Sequence, residues 1–176
     1  MANTFLAAQG KNIGASFYEK NMIDEAKEIL EKAKISNCDI ILPIDAVVAN
    51  KLEFGVESNT VELKDVLKEN MILDVGEKTV ELISNAIINS KTLLWNGPLG
   101  VFEIPPFDQS TSSCALTAAM MTRAGGLLSV AGGGDTVAAL NNAGASGGFS
   151  YVSVAGGAFL EWLEGKTLPG IAVLID

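Results

Sequence analysis

The feature that most limits what this chain can fold into is alternation: short apolar runs that end in Gly or Pro, separated by stretches whose apolar residues recur at helical spacing. Thr4 to Gly10 is helical in composition, with Phe5, Leu6, Ala7 and Ala8 ahead of a stopping Gly10. From Asp24 to Ala33, Ile23, Ala26, Ile29, Leu30 and Ala33 share one helical face, with charges on the other. Asp39 to Asp45, DIILPID, reads as a buried strand whose end Pro43 marks. Ala46 to Glu69 is the least regular part and reads as a solvated connection holding a short strand at Thr60 to Leu63. A clear helix follows from Lys78 to Ser90, carrying Val80, Ile83 and Ile87. It leads to an apolar run, Thr92 to Trp95, that stops at Asn96-Gly97-Pro98. Ile104-Pro105-Pro106 breaks the backbone, and Ser110-Thr111-Ser112 can cap a helix from about Ser113 to Arg123. Then come a strand from Leu127 to Ala131, a helix from Asp135 to Asn142, a last strand from Phe149 to Val154, and a helix from Ala158 to Leu163.

Strand alternating with helix over this length predicts an α/β fold, a Rossmann-like parallel sheet with helices on both faces and right-handed crossovers. Ligands of such sheets sit beyond the carboxyl ends of the strands, which singles out two turns. The first is Asn96-Gly97-Pro98. The second is Gly132-Gly133-Gly134-Asp135-Thr136, where three glycines between strand and helix let a ligand approach the backbone, and the free N–H groups of the helix start favour a phosphate. Asp135 would then either cap that helix or hold a magnesium ion beside phosphates. An echo of this turn, SVAGGAFL from Ser153, follows the last strand. Neither a Walker A motif nor a GxGxxG fingerprint is present, which weighs against P-loop and dinucleotide-binding readings.

The 176 residues suit one domain, and a net charge of −9 argues against nucleic acid or an anionic membrane as partner. The start of the chain has no basic region followed by a long apolar run, so a cytoplasmic location is expected. Cys38 and Cys114 sit in no metal-ligand spacing and are expected to be buried thiols. The chain has no His, so it holds no His-dependent hydrolase triad of its own.

Four segments carry a family resemblance: MANTFLAAQG at Met1, TLLWNGPLGVFE at Thr92, AGGGDTVAAL at Ala131 and GGAFLEWLEGKTLPGIAVL at Gly156. In this order they resemble the phosphoglycerate kinases, two-domain enzymes that move a phosphoryl group between 1,3-bisphosphoglycerate and magnesium ADP. The resemblance covers most of the C-terminal, nucleotide-binding domain and none of the phosphoglycerate-binding half, so residues 1–176 are expected to be a single partial domain. It implies ATP or ADP and Mg2+ as ligands. Asn96, Gly133, Asp135 and Thr136 would meet the nucleotide phosphates, with Asp135 on the metal. Glu103 would bind the ribose hydroxyls, and Phe17, Met71, Leu73 and Val101 would line the adenine slot. Gly134, Gly156 and Gly157 would be the catalytic glycines.

Three departures limit what the resemblance implies. The basic residues that neutralise the moving phosphoryl in the family have no counterpart, the only Arg being Arg123. Val154 and Ala155 replace the family's usual Thr and Gly beside Gly156, and the methyl of Ala155 would be strained if its φ were positive. The first two strands of the family's C-terminal sheet are also lacking. The strands at 39–44 and 92–95 would then pair directly in a collapsed four-stranded sheet, or leave open edges for a second copy or for an N-terminal half. Alone, the chain is expected to bind magnesium nucleotide weakly without turnover. The alternative is a non-catalytic structural fragment.

Overall fold

The computed structural model describes residues 1–153, 155 and 157–174. They form two compact units, residues 1–83 with 99–110, and residues 84–98 with 111–176.

The first unit opens with α1 (Ala2–Ala8), two residues earlier than the composition predicts, and α2 (Ile23–Ile35), where the periodicity predicts it. Its sheet is antiparallel, with β1 (Asp45–Ala49) in the centre between β2 (Asn59–Glu62) and β3 (Met71–Val75). This corrects the reading of Asp39 to Asp45 as a strand. The segment at 39–44 is irregular, and Ile41 and Ile44 are about half exposed. Pro43 has no N–H for a ladder, so pairing begins beyond it. Nor is the stretch after Ala46 a solvated connection throughout: Ala46, Val48 and Ala49 are buried, and Val48 packs with Leu6, Ile13, Leu63 and Val66. A second core cluster joins Ala49, Leu73 and Phe107, with Val47, Val56, Met71, Val101 and Ile104 packed on it. The helix α3 (Glu77–Asn89) follows β3. Its first turn is fastened by Asp45, whose carboxylate accepts the N–H groups of Lys78 and Thr79 and the Thr79 hydroxyl.

The second unit holds the parallel sheet that the alternation predicts, in the order β4 (Thr92–Trp95), β5 (Leu128–Gly132), β6 (Tyr151–Ser153). Between the strands run α4 (Gln109–Arg123) and α5 (Gly134–Asn142), and α6 (Gly157–Leu163) and α7 (Pro169–Ala172) follow. The hydroxyls of Thr122 in α4 and Ser129 in β5 lie 2.7 Å apart and tie that helix to one face of the sheet. Trp95 meets Phe149 edge to face at 6.1 Å, and its indole N–H donates to the Gly97 carbonyl at 2.8 Å.

Three further expectations need correction. The sheet partners of β1 are β2 and β3, and that of β4 is β5, so the direct pairing of the 39–44 and 92–95 segments does not occur. Helix α4 starts at Gln109, before the hydroxyls expected to cap it, because Asp74 takes over: its carboxylate accepts the N–H and the hydroxyl of Ser110. Cys114 is buried, whereas Cys38 is exposed beyond α2. Among the described residues no helix is long and apolar enough to cross a membrane.

Candidate functional site

Parallel neighbours β4 and β5 end side by side, which brings the two predicted turns together in the second unit. Gly133 is the N-cap of α5 at φ +102°, a conformation that suits glycine. A Cβ on it would lie 3.2 Å from Asn96 Oδ1 and 3.3 Å from Thr136 Oγ1, so those two side chains converge on the glycine backbone. The Gly97 N–H donates to Thr136 Oγ1 at 2.7 Å, clasping the β4 turn to the first turn of α5. Thr136 is buried, while Asn96, Gly134 and Asp135 are exposed.

This geometry offers donors to an anion. The first bond within α5 runs from the Val137 N–H to the Gly133 carbonyl, so the N–H groups of Gly134, Asp135 and Thr136 have no partner inside the helix. No side chain caps α5, which removes the capping alternative for Asp135. Its exposed carboxylate stands in the first turn instead. Among the described residues no three His, Cys, Asp or Glu side chains cluster to hold a metal. Magnesium does not require such a cluster, since one carboxylate with substrate phosphates and water is an ordinary site for it. The residues present therefore fit a magnesium-bound phosphate.

The residues expected around adenine and ribose all belong to the first unit. Met71, Leu73 and Val101 meet in the cluster around Phe107, and the Val101 N–H donates to the Leu73 carbonyl at 2.9 Å. Leu73, Asp74, Leu99 and Val101 also line a cleft of about 170 Å³. Phe17 stands apart from that cluster with its ring 82% exposed, and the Asn3 amide holds its carbonyl at 3.2 Å. Glu103 is exposed in the loop between β4 and α4. A larger cleft of about 390 Å³, lined by Leu6, Lys11, Ile40, Leu42 and Leu63 among others, includes none of the expected site residues.

Of the catalytic glycines, Gly157 opens α6 and is exposed, while Gly156 and its neighbour Val154 lie outside the described residues. Ala155 is exposed and its N–H donates to the Ser153 hydroxyl at 3.3 Å.

Sequence reasoning missed the Gly97–Thr136 clasp and Asp74. The clasp joins residues on neighbouring strands and leaves no local pattern. An Asp inside the apolar run MILDV was a visible signal, because a buried carboxylate needs partners.

A model of the phosphoglycerate kinase family matches residues 1–166 of the chain. A phosphoglycerate kinase of Cereibacter sphaeroides is 59% identical over 174 residues, which is 99% of this chain and 44% of the relative. One of Caulobacter vibrioides is 55% identical over the same length and shares. The phosphoglycerate kinase structure from Coxiella burnetii superposes with a TM-score of 0.92 at 43% identity, over 98% of this chain and 44% of that one. The enzyme from Pyrococcus horikoshii gives 0.79 at 27% identity, over 98% and 42%. The chain thus spans less than half the length of the relatives it matches.

Proposed function

The chain belongs to the phosphoglycerate kinase family, and we propose that it is the magnesium-nucleotide-binding part of such a kinase. The observation that carries this reading is the convergence of Asn96 and Thr136 on the backbone of Gly133, at the uncapped start of α5. The N–H groups of Gly134, Asp135 and Thr136 bind the terminal phosphates there, and the helix dipole favours their charge. Asn96 turns its side-chain amide towards the same oxygens. The magnesium ion, when bound, neutralises phosphate charge, and Asp135 supplies its one protein carboxylate. Thr136 offers its N–H, and its hydroxyl, whose oxygen accepts from the Gly97 N–H, keeps an O–H to donate.

Residues 1–176 act on this reading as one partial nucleotide-binding domain. Glu103 is assigned the ribose hydroxyls; Met71, Leu73 and Val101, gathered in one apolar cluster, are assigned the adenine. Phe17 is included by its matching position alone. The phosphoryl passes between ADP and the acyl phosphate of 1,3-bisphosphoglycerate in the family reaction, with Gly134, Gly156 and Gly157 at the moving group. That reaction also needs cationic groups to offset the charge of the transition state. Arg123 is the only arginine here and lies exposed at the end of α4, so nucleotide binding without turnover is the expected behaviour.

The test is calorimetric titration with magnesium ADP of the native chain and of Asp135→Ala. Saturable binding that the substitution weakens at least tenfold supports the reading. Equal binding by both proteins refutes the role of Asp135. Absence of binding in a chain with a sharp thermal transition refutes the site.

A further inference from the structure

Asp74 is a carboxylate inside an apolar strand, and its partners reveal what it holds in place. Alternation along β3 sends Leu73 and Asp74 to opposite faces, and both are buried. Asp74 Oδ1 accepts the Val75 N–H at 2.9 Å and the Ser110 hydroxyl, and Oδ2 accepts the Ser110 N–H at 3.1 Å. Gly100 lies against the same carboxylate: a Cβ there would collide with the Asp74 side chain and with the Phe107 carbonyl. Gly100 and Ser110 flank the stretch that carries Val101 and Glu103, so one side chain meets this loop where it enters and where it leaves.

Between those two points the loop is a compact series of turns. The Ile104 N–H donates to the Val101 carbonyl at 3.1 Å, and the Phe107 N–H to the Ile104 carbonyl at 2.9 Å. Phe107 is fully buried beside Leu73, and the Val101 N–H bonds to the Leu73 carbonyl. Glu103 is exposed on this frame. A buried carboxylate is costly, and asparagine would fill almost the same space without charge. What asparagine lacks is the second acceptor, since its amide would turn an NH2 towards one of the Ser110 donors. The site therefore uses the one property that needs the carboxylate, acceptance on both oxygens, and that property acts on the loop.

We infer that Asp74 is a positioning residue for the nucleotide, fixing the 99–110 loop so that Glu103 meets the ribose hydroxyls and Val101 the base. It acts through the loop and not on the ligand, as a supporting group that aligns contacting ones. This inference rests on the proposed nucleotide site and adds to it the group that sets the geometry of its ribose end.

The test is calorimetric titration with magnesium ADP and with magnesium 2′,3′-dideoxy-ADP, which lacks both ribose hydroxyls. The readout is the ratio of the two affinities within one protein, because partial unfolding lowers both alike and leaves the ratio unchanged. Hydrogen bonds from the hydroxyls to a charged Glu103 should make the native chain favour ADP by about tenfold or more. Asp74→Asn is expected to reduce that ratio at least threefold, and Ser110→Ala, which removes one donor, to reduce it in the same direction. Asp45→Asn alters the other buried carboxylate of the same sheet, whose acceptor bonds go to α3, and should leave the ratio at its native value. If Asp74→Asn does not fold, Ser110→Ala decides in its place. The inference alone is overturned if the native chain discriminates and Asp74→Asn discriminates as well, or if Asp45→Asn lowers the ratio as much. A native chain that binds neither nucleotide refutes the proposed site itself. One that binds both equally refutes the assignment of Glu103, and the inference falls with either.

Discussion

Replacing Asp74 by Asn is expected to remove a loss of stability that the native chain suffers as pH rises from acid to neutral. The Asp74 carboxyl in β3 is 2% exposed. Its Oδ1 accepts the Val75 N–H at 2.9 Å and the Ser110 hydroxyl, and Oδ2 accepts the Ser110 N–H at 3.1 Å. Burial opposes the charge more strongly than these donors favour it, and Asp108 adds repulsion, so the carboxyl is raised from 3.8 to about 6. Between those two values the folded protein holds a proton that the unfolded chain has released. Stability from this group is therefore complete below about pH 4 and is lost as pH rises through about 6. A gap of about 2 units corresponds to about 3 kcal/mol at 1.36 kcal/mol per unit.

Asn cannot ionise, and its single acceptor oxygen leaves a donor unmatched, which costs the same at every pH. Urea unfolding of both proteins from about pH 4.5 to about pH 7.5 should show the variant gaining about 2 kcal/mol relative to the native chain across that range. Glu62, pulled down to about 2 by Lys78 and Lys64, has the opposite dependence, stabilising above its ordinary range and losing that effect in acid, but it is common to both proteins and cancels. A difference that stays flat, or shrinks as pH rises, would refute the reasoning.

Asp45→Ala leaves the N–H groups of Lys78 and Thr79 and the Thr79 hydroxyl without their acceptor and should cost about 3 kcal/mol by denaturant unfolding; a loss below about 1 kcal/mol would show that water replaces the carboxylate. Gly133→Ala forces a methyl group to φ +102° and to 3.2 Å from Asn96 Oδ1, so it should destabilise by about 1–3 kcal/mol and abolish magnesium ADP binding in the same calorimetric assay; retained affinity would disconnect that backbone from the ligand.

The sequence was most readable where neighbours in space are close in sequence. The run that became β5 leads directly into α5 through a turn where Gly133, at φ +102°, demands glycine locally. The apolar stretch from Ile40 to Ala49, interrupted by Pro43 and Asp45, offered two placements for a strand, and Pro43 disfavours the first without fixing the second. The choice is made by partners: β1 exists because Val61 and Val75 stand opposite Ala46, 15 and 29 residues away along the chain. The strand β3 was hidden by Asp74, which interrupts its apolar pattern and is satisfied by Ser110, 36 positions later. For the same reason the start of α4 was placed at its hydroxyls and not at Gln109.

These misreadings share one physical cause, which also explains why the first unit tolerates two buried carboxylates. Val47 pairs with Asp74, and Ala46 with Val75, so Asp45 and Asp74 lie on neighbouring antiparallel strands. Each receives the first-turn N–H groups of a helix, Asp45 those of α3 and Asp74 that of α4, where the helix dipole offsets part of the desolvation cost. A local cap is written within a few residues of the helix it serves. Here the cap of α3 lies 33 residues upstream of Lys78, and that of α4 lies 36 upstream of Ser110. The same strands that form the antiparallel sheet therefore set where two helices begin, and a pattern reader confined to local windows loses strand and cap together.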